Sequence, residues 1–260
     1  MSESPNKEFY DLLNSVSVTE TSDITLSDGK AYKFRQLTTN NLKDLIKSVV
    51  DSPLTQSIFN STVARIMKES YAGESFGYEF SVIDRLLFVL GTRVASISPT
   101  IVLTKEDKTT VTVNIQDVIT KLVSTLGTNS QAFANGSLSY NTISITYGVP
   151  TIAVESQLND EIYKNAELDV QTPEQLRKLL GETFINEIAK SVNNVVVGDR
   201  SLDLSTVTFK SRLKTIETLP AYLISSVIQY IEQYKKLIED NLVIEEGLSL
   251  PIDGSLFSLR

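Results

Sequence analysis

From Leu122 to Val154 the chain carries no charged side chain. Serine, threonine, asparagine and glycine dominate this span, and Ile143, Ile145 and Tyr147 alternate as in a strand. Free strand edges are normally guarded by charge, so a neutral strand must be covered. Either the chain's own helices cover an internal strand pair, or the span docks on a partner by strand addition or flat packing. Both arrangements require a folded scaffold around it. Composition supplies one: 260 residues, 41% hydrophobic and 22% charged, which suits one large domain or two small ones.

The rest of the chain predicts a helix-rich α+β fold with several short antiparallel hairpins, each leading into a helix. Phe9, Leu12, Leu13 and Val16 have helical spacing. Ile24–Leu26 and Tyr32–Phe34 flank Asp28-Gly29, a strong hairpin signal, and Thr38 or Thr39 can cap the helix that follows. Helices are predicted from Pro53 to about Tyr71 and from about Phe80 to Val94. Ile101–Leu103 and Val111–Val113 form a second hairpin, followed by a helix over Gln116–Leu126. Pro173 opens another helix with Thr172 as its cap. A third hairpin at Val195–Leu204 feeds a helix from Thr206 to Leu219, and Pro220 starts the longest helix, to about Leu242. The composition shift suggests an N-terminal α+β region over 1–121, an uncharged excursion over 122–154, and a helical region with one hairpin over 155–260.

Several chemistries are closed. The chain has no histidine and no cysteine. Disulfides, thiol redox and histidine-based triads therefore cannot be built, and a structural zinc site is effectively excluded. Carboxylate, lysine or tyrosine chemistry and oxygen-ligated cations survive. The net charge of −8 opposes a nucleic-acid-binding surface. No apolar run reaches membrane-spanning length, and Leu86–Leu90 is bounded by Arg85 and Arg93. No secretion signal is legible, since Met1–Lys7 is polar.

Motif tests add little chemistry. Gly73 and Gly77 make no dinucleotide fingerprint, and no phosphate loop is present. Ser211-Arg212-Leu213-Lys214 matches a serine–lysine pattern without its companion motifs, so both residues read as an exposed helix face. The acidic clusters Glu155, Asp160, Glu161 and Glu239, Asp240, Glu245, Glu246 read as solvated faces and lack calcium-loop order. No catalytic, cofactor or metal residues are expected. The expected partner contacts are Tyr140, Ile143, Ile145 and Tyr147 in the uncharged span, with Leu256 and Phe257 in an apolar tail that docks on its own core or on a neighbour.

Two regions resemble a known family. Leu26 to Ile46, a Gly-Lys hairpin, a strand ending Phe34-Arg35-Gln36-Leu37-Thr38 and a lysine-bearing helix, resembles the opening of the baseplate hub proteins of T-even-like contractile-tailed bacteriophages (myophages). Near the end, Arg212–Pro220 is similar to that family's Arg-Leu…Glu-x-Leu-Pro motif. Pro251–Phe257 is similar to its closing motif, with Leu256 where an aromatic is expected. The middle, about residues 70–190, carries no such motif. The resemblance implies a structural, non-enzymatic component of a virion tail baseplate, assembled in the host cytoplasm. It implies contacts with other tail proteins or with copies of itself, without nucleic acid or membrane insertion. A tail-assembly chaperone and a carboxylate-based tail hydrolase domain are the alternatives.

Overall fold

The computed structural model describes residues 20–48, 55–73, 79–165 and 173–257. The expected helix around Phe9–Val16, the stop at Asp51–Pro53 and the cap at Thr172 lie outside these residues. In chain order the elements are β1 (Thr21–Thr25), β2 (Ala31–Arg35), α1 (Thr39–Lys47), α2 (Thr55–Ser70), α3 (Val82–Ser96), β3 (Thr100–Thr104), β4 (Thr110–Asn114), α4 (Ile115–Thr128), a single turn α5 (Ser130–Phe133), β5 (Gly136–Tyr140), β6 (Ile143–Tyr147), α6 (Ile152–Asn165), α7 (Pro173–Ser191), β7 (Val192–Val197), β8 (Arg200–Asp203), α8 (Phe209–Thr218), α9 (Ala221–Leu242), β9 (Val243–Glu245) and β10 (Leu248–Ser249). Among the described residues helix outweighs strand and every sheet is antiparallel, so the fold is the helix-rich α+β class expected.

The chain divides into two compact units. The first comprises residues 1–78, 83–125 and 241–260, the second residues 79–82 and 126–240. These bounds replace the three-part division expected from composition. The uncharged span is no separate excursion: β5 and β6 are half of a four-stranded sheet in the second unit.

The first unit is built on α3. Nearly every residue from Ile83 to Arg93 is buried, the charged Asp84, Arg85 and Arg93 among them, so the helix runs through the interior of the unit. Gly91 lets β1 approach, since a Cβ there would stand 2.7 Å from Ile24 Cγ2. Phe88 packs edge-on against Phe34 of β2 at 4.9 Å. Fully buried Asp84 accepts two bonds from Ser27, from the main chain at 2.9 Å and the hydroxyl at 2.6 Å, which pins the β1–β2 turn to the helix. Thr38 and Asn41 form a reciprocal capping box at the start of α1.

The β1–β2 and β3–β4 hairpins share one turn design. Leu26 N–H donates to Lys30 and Gly29 N–H to Leu26, while Lys105 N–H donates to Thr109 and Lys108 N–H to Lys105. An aspartate, Asp28 or Asp107, accepts a main-chain N–H two residues on. Both turns need a left-handed residue. Gly29 supplies it at φ 77°, but at the matching position Lys108 is forced to φ 68°. Lys108→Gly is therefore expected to raise unfolding stability by about 0.5–1 kcal/mol, read as a higher urea midpoint.

The second unit packs α6, α7, α8 and α9 with the sheet β5-β6-β7-β8. One sheet face carries Leu138, Ile145 and Val195 toward a core that includes Leu158, Ile188, Ile216, Leu223 and Val227. The other face is hydroxyl-rich, with the cross-strand rows Ser137–Thr146–Asn194–Asp203 and Ser139–Ser144–Val196–Ser201. That alternation accounts for the missing charges within β5 and β6, whose positions are either on the inner face or small and mostly hydroxylated. The third expected hairpin is β7–β8 of this sheet. The helix expected from Thr206 begins at Phe209, because the Asp203 carboxylate captures Ser205 N–H at 2.8 Å and winds Leu204–Thr206 into a 3-10 turn. Thr208 then caps α8.

An ion cluster ties α7 to α9. Glu187 accepts from Lys190 Nζ at 2.6 Å and Lys235 Nζ at 2.7 Å. Burial pushes the Glu187 carboxyl up, but the two ammonium groups outweigh it and hold it down to about 2. A depressed carboxyl contributes stability that is fully present above its unfolded value near 4.5 and lost as pH falls through about 2. Urea midpoints should fall for the native protein across that window, and Glu187→Gln should flatten the fall while lowering the midpoint at neutral pH.

Candidate interaction surface

Among the described residues, Arg93 in the first unit and Arg212 in the second each donate to three carbonyls. In the second, buried Arg212 of α8 donates from Nε to Ala189 at 2.8 Å, from Nη2 to Val192 at 2.9 Å and from Nη1 to Leu204 at 3.2 Å. The first two acceptors lie at the C-terminal end of α7, where carbonyls lack intrahelical partners and the helix dipole is negative. Burial pulls the Arg212 guanidinium down to about 10, against the pull of Asp203. It stays charged at neutral pH. This fixes α7, the 3-10 turn and α8 around the sheet.

That arrangement leaves one end of the sheet's inner face uncovered. The row nearest the hairpin turns is Tyr140–Ile143–Val197–Arg200. Helix α8 ends at Thr218, and Leu219 is extended ahead of Pro220, as proline demands of the residue before it. Between them lies a cavity of about 420 Å³. Its floor is Ile143, Val195, Val197 and Leu202, and its wall is Thr215, Thr218 and Leu219. Large apolar surface stands open around it: Tyr222 is 59% exposed, Val197 52%, Tyr140 44% and Leu202 39%. The Tyr140 and Tyr222 rings stand 5.7 Å apart. Apolar surface gathered this way marks an interaction site.

Of the residues expected to contact a partner, only Tyr140 and Ile143 belong to this surface. Ile145 shares their face but lies one row deeper and is fully buried. Tyr147 sits at the other end, half-buried against Tyr230 with ring centroids 5.0 Å apart. The tail docks on its own unit. Leu256 and Phe257 are buried, the Leu256 carbonyl accepts Arg93 Nε at 2.8 Å, and the Ile252 carbonyl accepts Gln56 Nε2 at 3.3 Å. Partner contact through Ile145, Leu256 and Phe257 is thus corrected: the apolar alternation and the apolar tail both serve the core.

Sequence reasoning missed Val197, Leu202 and Tyr222. Their signal was present but unused. Val195-Val196-Val197 is apolar on both strand faces, and Tyr222 stands off the Leu223, Val227, Ile231 stripe of α9.

Chemically the surface offers packing and one cation. Among the described residues lining the cavity, Arg200 is the only charged one, and no carboxyl pair stands across it. Among the described residues no group of three or more acidic side chains is placed to hold a metal ion. No described helix is long and apolar enough to cross a membrane. Comparison with known proteins gives no match to any family model, curated protein or solved structure.

Proposed function

We propose that this chain is a structural component of a contractile phage tail baseplate hub, acting through protein–protein contacts in the virion. The observation that carries the proposal is the order of the motifs that resemble that family: Leu26–Ile46 early, Arg212–Pro220 late, Pro251–Phe257 last. Their places in the fold support it. Ser27 of the first motif is pinned by Asp84, Arg212 of the second organises the second unit, and the third is sewn in by Arg93. A likeness concentrated at positions that hold a fold together fits shared architecture. The apolar surface at Val197, Leu202 and Tyr222 supplies a contact site, and Leu219 of the second motif lines it.

The same open surface also suits a chaperone that leaves before the particle is finished. Quantitative mass spectrometry of purified particles separates the two. Stoichiometric presence supports the component. Presence only in assembly intermediates supports the chaperone, and absence from both removes the baseplate proposal.

A further inference from the structure

We propose that the chain pairs with a second copy of itself through β5, antiparallel about a two-fold axis at Leu138, so that two four-stranded sheets become one of eight strands. The inference stands apart from the baseplate proposal, because it requires no other protein.

Among the described residues, the sheet order β5-β6-β7-β8 leaves β5 and β8 as edges. Gly198 N–H donates to the Thr142 carbonyl at 2.9 Å, so Thr142, Ser144 and Thr146 turn their main-chain groups toward β7. Ile143, Ile145 and Tyr147 then turn theirs toward Tyr140, Leu138 and Gly136. Ser137 and Ser139 are left with N–H and C=O aimed out of the sheet. Both residues are exposed, and those groups meet no partner among the described residues.

The two edges are treated differently. β8 carries Arg200 and Asp203, Asp199 sits in its turn, and the Asp203 carbonyl already accepts Thr206 Oγ1 at 2.8 Å. These are the usual guards of a free edge. β5 has none of them: it carries no charge and no proline, and its register against β6 is unbroken.

The occupant follows from the strand itself. Ser137 and Ser139 flank Leu138, so the edge reads alike in both directions. Antiparallel pairing about Leu138 sets Ser137 against the partner's Ser139, and Ser139 against the partner's Ser137. Each such pair exchanges two bonds, which uses all four outward groups on each strand. Leu138 meets the partner's Leu138 at the close, non-bonded position. Tyr140 faces the partner's Gly136, a large ring across from the one residue of the strand without a side chain. Charge favours this edge too. At a net −8, copies repel over much of their surface, whereas β5 opposes no like charges.

The absence of native cysteine makes the test clean. In the full chain under mild oxidation, Leu138→Cys should form a disulfide-linked dimer. Directly opposed non-bonded residues stand about 4.5 Å apart at Cα, within disulfide range. Ser201→Cys on β8 should link at least about tenfold less. Adding Ser139→Pro to Leu138→Cys removes an outward N–H without touching the bonds to β6, and should cut linkage by a similar factor. If Leu138→Cys fails to fold by circular dichroism, the exposed single variants Ser137→Cys and Ser139→Cys replace it. They should link to each other when mixed and not to themselves. Linkage of Leu138→Cys no faster than Ser201→Cys overturns the proposal, as does linkage indifferent to Ser139→Pro, or equal self-linkage of the two serine-site variants.

Discussion

Replacing Arg212 with methionine should lower the unfolding free energy by about 3–5 kcal/mol, a large share of what holds a domain folded. The size follows from what is left behind. The guanidinium serves the carbonyls of Ala189, Val192 and Leu204 inside a buried site, and water cannot take its place in full. A buried acceptor without a partner costs about 1–3 kcal/mol, and three are exposed to that cost here, less the burial penalty of the charge itself. Lysine should rescue little. Its ammonium is a point donor, and the three acceptors are matched to a planar fork. Urea titration followed by far-ultraviolet circular dichroism measures the loss. Arg200→Met, on an exposed strand, should change the midpoint by no more than about 0.5 kcal/mol.

Phe257→Ala should cost about 3–5 kcal/mol in the first unit, because a fully buried aromatic ring leaves a cavity that its neighbours fill only in part. Ending the chain at Ile252 should cost more. It removes Leu256 and Phe257 together and strips the Leu256 carbonyl from buried Arg93, whose other donors reach Ser98 at 2.6 Å and Thr100 at 3.3 Å. Hydrogen exchange should then speed up at the C-terminal turn of α3 as well as in the tail. A tail that served only as a partner anchor would leave both the midpoint and α3 exchange unchanged.

Much of the fold was legible from local signals. The Asp28-Gly29 turn, the Thr38 cap and the proline breaks at Pro173 and Pro220 act within a few residues, so sequence states them directly. What it could not state was which face meets what. Ile143, Ile145 and Tyr147 alternate cleanly, yet coverage along that face varies from open to buried because α8 stops at Thr218. The apolar tail gave no sign of the carbonyl-binding arginine 163 residues away. Helix α6 escaped notice because its acidic positions, Glu155, Asp160 and Glu161, read as a solvated cluster and masked a weak apolar spacing around Leu158. The small β9–β10 hairpin around Gly247 is too short for periodicity to show. Long-range partners, not local propensity, decided each of these.

On the proposal above, this chain works through contact surfaces in a tail baseplate, with the open end of its sheet as the first of them. The most direct measurement is an electron-microscopy map of the assembled tail. Density for this chain is expected in the baseplate, with a neighbouring subunit seated over Val197, Leu202 and Tyr222. A complete baseplate map without the chain, or with it present and that surface facing solvent, would overturn the proposal.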